Sequence, residues 1–549
     1  MKTLTSTILF TVFVTMRGVE GFSQTPNWAW VHNGEGSDYS DDVAYSAATD
    51  ALGNVYVVGG FSSSSISFGS ASLSSSNWFD VFFVKYSPSG NVMWAKSAGG
   101  SGMDAAYSIA RDASGNFFMT GTFSSSSITF GSNTLNNSGN GGDIFLVKFD
   151  ANGNILSAKN FGGAGDDIAK SVAVDASGNI YLAGSFSSSA LSFGSASLTN
   201  NGSDDIFIAK LDAGFNGVWA KSAGGNLDEQ AASVAVDASG NIYMAGAFKS
   251  SSFNIGSSNL TNAGNYDAFI AKYDANGNPV WAQGGGGSDE DKAASVACDA
   301  SGNIFIAGYI ENFSIDFGSI TVQPHGWFTM FFFKLNGSGN AVWGHGVGGS
   351  DENYATSITT DISGNVYAAG YFSGQPIVFG NDSLFPTSYD VAVLKYDNAG
   401  NEIWAKGAGG MDNDDAFAVA VDDFGNVFSA GGFWSSSIDF GSITLSNNHP
   451  SSADVFVCKI GSNATAIDEN NSLQEINIYP NPNCGQFVIA SETKQSQIEI
   501  YNALGEKVFF KSLNNKQETI NLNEAGIYFL KVKTENGIIN KKIITAVQK

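Results

Sequence analysis

Short runs of alternating apolar and small residues recur along most of the chain, each closed by a turn rich in Asp, Gly and Asn. In one stretch, Lys170-Ser-Val-Ala-Val-Asp175 runs into Asp175-Ala-Ser-Gly178-Asn179, and Ile180-Tyr-Leu-Ala-Gly-Ser-Phe186 follows. Two strand-like runs joined by a tight turn predict a hairpin. After a Ser-rich stretch and Phe193-Gly194 come Asp205-Ile-Phe207-Ile-Ala-Lys210, a second turn, and Val218-Trp219-Ala-Lys221. The unit therefore supplies four main strands, A to D, and helical periodicity is missing. The turn Asp-x-x-Gly-Asn between A and B returns seven times, with Asp at 50, 112, 175, 237, 299, 361 and 422, spaced by 61 to 63 residues. So regular a period marks a repeat architecture. Four antiparallel strands repeated seven times predict an all-β fold, a seven-bladed β-propeller over residues 24–460, because closure into a ring leaves few exposed sheet edges.

The two ends of the array carry the closure. After Lys459 no Trp-Ala-Lys strand follows, whereas Asn27-Trp28-Ala29-Trp30-Val31 precedes the first strand A with no A, B or C of its own. The N-terminal strand is expected to complete the seventh blade. The D series then reads Trp30, Trp94, Ser157, Trp219, Trp281, Trp343 and Trp404, with a two-residue insertion at the first.

Most recurring residues have structural explanations. The turn Gly can take positive φ, and the Asp side chain can accept backbone hydrogen bonds across the turn. The Trp series and the series Phe82, Phe145, Phe207, Phe269, Phe331 and Phe456 fit packing between blades. Turns A to B and C to D are tight and nearly identical, while B to C and D to A vary. Alternating strand direction puts the two tight turns on one face and the two variable connections on the other, where binding is expected.

On that variable face, eight residues before each anchoring Asp, stand Asp42, Asp104, Asp167, Glu229, Asp291, Asn353 and Asp414. At the start of the innermost strands they are expected to ring the mouth of a central channel, thickened by Asp38, Asp41, Asp166, Asp228, Asp289, Glu290, Asp351, Glu352, Asp412 and Asp415. Such a ring could hold a hard divalent cation, calcium being the candidate, or attract a basic ligand. The plainer reading, and the favoured one, is that each carboxylate caps the backbone of its own loop. The Ser-rich B to C loops, such as residues 62–65, 124–127 and 187–189, could hydrogen-bond a glycan but read more simply as flexible filler.

Composition narrows the classes. Residues 472–549 hold nine Lys and seven Glu, leaving 17 basic and 44 acidic residues in the other 471, a balance of −27 that repels nucleic acid and anionic membrane. Cys298, Cys458 and Cys484 are scattered and form no Cys-x-x-Cys, so neither a disulfide framework nor a zinc site is indicated. Residues 1–23 read as a secretory signal peptide, with Lys2, an apolar stretch from Leu4 to Met16 and Gly21-Phe22-Ser23, and nothing later offers a membrane-spanning run. His32, His325, His345 and His449 do not recur in register, and no nucleophile elbow, metal-ligand pair or phosphate loop is evident. A non-catalytic module with no required cofactor, binding an extracellular protein or glycan, is therefore favoured. The alternative is a secreted polysaccharide hydrolase or lyase working through loop-face carboxylates.

Two resemblances add to this. The repeats, with Asp-Ala-Ser-Gly-Asn-Ile-Tyr-x-Ala-Gly-x-Phe in the third and fourth, resemble the bacterial β-propeller repeats called SBBP repeats across residues 28–460, a family that implies a fold but no settled activity. Turns such as Asp274 to Trp281 also resemble the tryptophan-docking repeats of quinoprotein dehydrogenases, but that pattern has one more residue, generally eight blades, and often an adjacent cysteine pair that this chain lacks. Beyond a polar linker, residues 461–474, the chain changes character. Ile478-Tyr479-Pro480-Asn481-Pro482 with Gly485, Ile498-Glu-Ile500-Tyr501-Asn502-Ala-Leu-Gly505, Gly526-Ile527-Tyr528 and Lys541-Lys542 resemble the type A sorting domain of type IX secretion in Bacteroidota, over residues 475–549. The alternating strands predict a small Ig-like β-sandwich. The resemblance implies contact with the type IX secretion machinery, passage through periplasm and outer membrane, and release or attachment at the cell surface.

Overall fold

The structure, a computed structural model, describes residues 26–75, 78–461 and, in the C-terminal part, 476–479, 486–491, 495–502, 507–511, 517–522, 526–534 and 537–545. The expected signal peptide and all of the linker but Gly461, the last residue of a strand, thus lie outside the described residues. The chain divides into two compact units, Met1–Ser462 and Asn463–Lys549.

In the first unit the described residues form no helix. Antiparallel sheets of propeller-like blades follow one another, each ordered A-B-C-D, as in Asp42–Thr49, Val55–Phe61, Asp80–Tyr86 and Val92–Ala98. In the last, Asp414–Val421, Val427–Phe433 and Asp454–Gly461 are joined by Asn27–Gly36 from the other end of the chain. Trp30 sits opposite Lys459 as Trp94 sits opposite Lys85, with the same one-residue irregularity before the Trp, so the two extra residues fall between Trp30 and Asp42. The same N-terminal strand also pairs Glu35 with Ser67 of the first repeat.

The A strands lie innermost, and their sequence explains how they are joined. Each begins Asp-x-Ala-x-Ser or a close variant, and the Ala is buried in every copy, as at Ala44, Ala106 and Ala169. The Ser reaches sideways: Ser46 Oγ accepts the Ile109 N–H at 3.2 Å, Ser108 that of Val172 at 3.1 Å, and Ser171 that of Val234 at 3.1 Å. Ser233, Ser295 and Ser357 do the same to Val296, Ile358 and Val419. Between the last and first A strands Ala418 stands where a Ser would, and the Thr49 hydroxyl donates instead to the Val421 carbonyl at 3.0 Å. Backbone donors that would otherwise be buried without partners are thereby satisfied.

The tight turns follow their chemistry. Asp50 Oδ1 accepts from the Leu52 and Asn54 N–H groups, while Oδ2 accepts from the Asn54 amide and the Tyr56 hydroxyl. Asp175, Asp237 and Asp361 repeat all four bonds. In the C to D turn the Gly has a second task. Gly277, at φ 78°, lies against the Trp219 ring, where a Cβ would fall 2.6 Å from the indole, and the indole N–H donates to the Ala275 carbonyl. Trp30, Trp94, Trp219, Trp281 and Trp343 thus dock five blades on a turn of the next, and the Phe series is fully buried.

The Ser-rich B to C segments differ from the flexible filler expected. Each folds as a two-stranded hairpin, such as Ser65–Phe68 with Ala71–Ser74 and Ala190–Phe193 with Ala196–Thr199. Alternation explains it: Ile66 and Phe68 are buried between exposed or half-exposed serines. The motif was hidden because Ser favours turns, and only the Ile and Phe between the serines carry the strand period.

The second unit contains a three-stranded sheet, Ile476–Tyr479, Gln486–Ser491 and Gln517–Asn521, and a four-stranded sheet, Lys507–Lys511, Gln495–Asn502, Gly526–Thr534 and Gly537–Thr545. Phe487, Ile489, Ile498, Ile500, Ile520, Tyr528, Leu530 and Ile543 form its shared core.

Candidate functional site: the acidic loop face

The carboxylates expected to ring a channel mouth are placed differently. Asp42, Asp104, Asp167, Glu229, Asp291, Asn353 and Asp414 are all fully buried, and the six acids bond within their own blades. Asp42 Oδ1 accepts the Ser62 and Ser63 N–H groups, both at 3.0 Å. Asp104 takes the Ser125 hydroxyl at 2.6 Å, Asp167 the Ser188 hydroxyl at 2.7 Å, and Asp414 the Ser435 hydroxyl at 2.9 Å. Glu229 accepts the N–H groups of Gly225 and Ser250, and Asp291 those of Gly287 and Glu311. Each carboxylate therefore holds the variable B to C connection, in most blades its own D to A connection too, against the sheet. The buried Ser of the B to C connection, 21 residues on in five blades, is the partner the sequence reading missed, although the constant spacing could have revealed it.

The tertiary structure does not bring the six together around one point, and among the described residues no group of three or more His, Cys, Asp or Glu could hold a metal ion. It makes a different association. The first Asp of each C strand is buried beside the first acid of the next A strand, 24 residues later, as Asp267 is beside Asp291. A Cβ on Gly286 would lie 2.6 Å from Asp267 Oδ1 and 2.8 Å from Asp291 Oδ2, so only Gly fits between the two carboxyls. Asp454 pairs in this way with Asp42 across the chain ends, and both contact Gly36. At the junction between the fifth and sixth repeats both acids are absent. Thr329 and Asn353 replace them, and the Asn353 amide donates to the Phe328 carbonyl at 2.8 Å.

Burial governs the protonation of these acids. It pushes Asp42, Asp291 and Asp414 up to about 7, and Asp104 and Asp167 up to about 6, against the pull of their N–H and hydroxyl donors. Asp267, Asp390 and Asp454 likewise rise to about 6 through burial. One oxygen on each of Asp42, Asp143, Asp205, Asp267 and Asp454 has no hydrogen-bond partner.

The flanking acids are spent on local bonds. Asp41 accepts from the Trp434 indole at 3.1 Å, Glu290 from the Tyr309 hydroxyl at 2.7 Å and Glu352 from the Tyr354 hydroxyl at 2.9 Å. Asp415 differs: it is half-buried, burial raises it to about 7, and its Oδ1 has no partner.

The fold and its loop face define an all-β repeat protein of propeller-like blades. Its C-terminal unit is more specific: residues 477–546 match the family of secretion system C-terminal sorting domains. The protein is therefore exported through type IX secretion to the cell surface or extracellular space. Of the residues expected to form the sorting motif, Tyr479, Gly526, Lys541 and Lys542 lie on strands, and Tyr528 is in the core. Pro480, Asn481, Pro482, Gly485 and Gly505 lie outside the described residues. No helix among the described residues is long and apolar enough to cross a membrane.

The chain is 25% identical over 440 aligned residues to an uncharacterised WD repeat-containing protein of Acanthamoeba polyphaga mimivirus, covering 66% of this chain and 32% of that protein. It is 27% identical over 189 residues to the regulatory protein FlaEY of Caulobacter vibrioides, covering 33% of this chain and 19% of that one. The chain thus spans at most about a third of the length of these curated relatives. Among solved structures, PorZ, a bacterial surface component of the type-IX secretion system of Porphyromonas gingivalis, aligns with a TM-score of 0.35 and 13% identity over 94% of this chain and 60% of its own.

Proposed function

We propose that residues 24–460 are a seven-bladed, SBBP-type β-propeller closed by its N-terminal strand, working as a non-catalytic binding or adhesion module outside a Bacteroidota cell. Residues 1–23 are its signal peptide, and residues 475–549, an Ig-like sandwich, deliver it to the type IX secretion machinery. The observation that carries this reading is the contrast between the two faces. Turns on one face repeat residue for residue, whereas the opposite face keeps its buried acids and varies the residues around them, the division expected of a rigid scaffold bearing a binding surface. The partner is an extracellular protein or glycan, and no cofactor is required.

The raised, unpartnered carboxyl of Asp415 favours a second reading, a secreted polysaccharide hydrolase or lyase. Both are tested on the exported full-length protein by measuring its retention on immobilised extracellular proteins and polysaccharides beside the release of soluble fragments. Retention without release is expected. Release abolished by Asp415→Asn would establish the enzyme instead.

A further inference from the structure

The seven repeats act as an internal comparison of what the fold requires. In the start of each A strand, Asp-x-Ala-x-Ser, the acid, the Ala and the Ser are held by the bonds and packing described above. The residue between Ala and Ser is not: in every sheet the pairing register shifts there, as between Ala44 and Ser46 and between Ala416 and Ala418, so that residue stands out of the ladder on a β-bulge. Bulges re-aim a side chain. The position carries Tyr45, Tyr107 and Phe417 in three repeats but Ala232 and Ala294 in two others. The fold accepts either, so packing does not account for the aromatic rings.

Those rings are part of a larger arrangement on one side of the innermost strands. Tyr309 meets Tyr354 at 4.7 Å between centroids, Tyr354 meets Tyr371 at 4.9 Å, Tyr371 meets Phe417 at 6.3 Å, Phe417 meets Tyr45 at 6.0 Å, and Tyr45 meets Tyr107 at 5.4 Å. This unbroken belt of six rings is half-exposed throughout, unlike the buried aromatics between blades. Around it stand groups of both signs. Lys170, on the bulge of the third repeat, lies 3.7 Å from the Tyr107 centroid, and Lys292 pairs with Glu290 at 3.2 Å. Lys170 is exposed to solvent, and the protein around it draws its ammonium down to about 8. Acceptors are supplied by Glu352 and by Asp415 with its unpartnered oxygen.

We propose that this belt is a binding site for a neutral saccharide, a deepening that rests on the binding-module reading. Sugar rings present C–H faces that lie on aromatic rings and hydroxyls that need both donors and acceptors. Lys170 and Lys292 oppose a polycation, and Glu290, Glu352 and Asp415 oppose a polyanion. An uncharged, polyhydroxylated ligand meets neither repulsion.

The test is calorimetric titration of the full-length protein with cellohexaose, xylohexaose, mannohexaose and chitohexaose, beside spermine and an oligogalacturonate as charged probes. At least one neutral oligosaccharide is expected to bind at millimolar concentration or better, and the Tyr45→Ala/Phe417→Ala variant to weaken it by about tenfold or more. Because Ala already occupies the same position at 232 and 294, that variant is expected to melt like the parent, separating lost contacts from lost fold. No binding by any neutral probe, binding unchanged in the double variant, or binding of a charged probe alone would overturn the proposal. Retention on an extracellular protein despite such a result would leave the binding-module reading standing.

Discussion

Raising the pH from about 5 to about 8 should destabilise the repeat unit through the buried carboxyl pairs. Each of these groups is raised above its unfolded value near 3.8, so its stabilising contribution is full below that value and is lost as pH climbs through 6 to 7. Integrated over this range, a group at about 6 loses about 1.4 kcal/mol and one at about 7 loses about 2.7 kcal/mol. Five junctions contain such a group, from Asp42 with Asp454 to Asp390 with Asp414; with one retained proton at each, the loss is on the order of 10 kcal/mol. Unfolding about 440 residues carries an entropy of about 0.9 kcal/mol/K, so Tm should fall by about 10 °C. Other groups do not mask the effect. Asp50, Asp112 and Asp175 are lowered, so their contribution disappears only at more acid pH. His32, lowered by burial, acts in the opposite sense but is a single site. Differential scanning calorimetry of the full-length protein at constant ionic strength measures the shift. The variant Asp267→Thr/Asp291→Asn copies the neutral Thr329–Asn353 junction and should flatten the slope by its share. A Tm equal or higher at pH 8 would refute the shared-proton account.

Three further outcomes are expected. Deleting residues 24–36 removes the strand paired with Asp454–Gly461 and should lower the melting temperature of the repeat unit by more than about 10 °C in the same calorimeter, since a whole strand and the buried Trp30 are lost. Ser108→Ala leaves the Val172 N–H without a partner and should cost about 1–3 kcal/mol in urea unfolding, whereas the exposed Ser64→Ala should cost less than about 0.5 kcal/mol. Replacing residue 475 by a stop codon should hold the protein in the periplasm, as fractionation and immunoblotting would show, while melting the parent with and without calcium tests whether the buried acids also take a cation.

How much of this was readable beforehand depended on the range of the interaction. The Asp-x-x-Gly-Asn turns, the strand order and the sorting tail rest on contacts between near neighbours in the chain, and their residues had to be of particular types at particular spacings. Asp175, for example, binds Ser177, Asn179 and Tyr181, all within six residues. The Trp28–Trp30 strand was legible for another reason: a repeat lacking one strand at its end and an unmatched strand at the beginning have one simple resolution.

Other properties required the packed molecule. A carboxylate reads the same on a rim or in a core, and burial with a Ser 21 residues away is what turns Asp104 from a surface charge into a loop fastening. The partner of Asp42 is Asp454 at the far end of the array, a proximity that no local spacing encodes. The aromatic belt is the same kind of fact. Tyr309, Tyr354, Phe417, Tyr45 and Tyr107 come from five repeats, and only the side-by-side arrangement of neighbouring blades brings the bulge residues Tyr45, Tyr107 and Phe417 together with Tyr354 on an innermost strand and Tyr309 on a second strand.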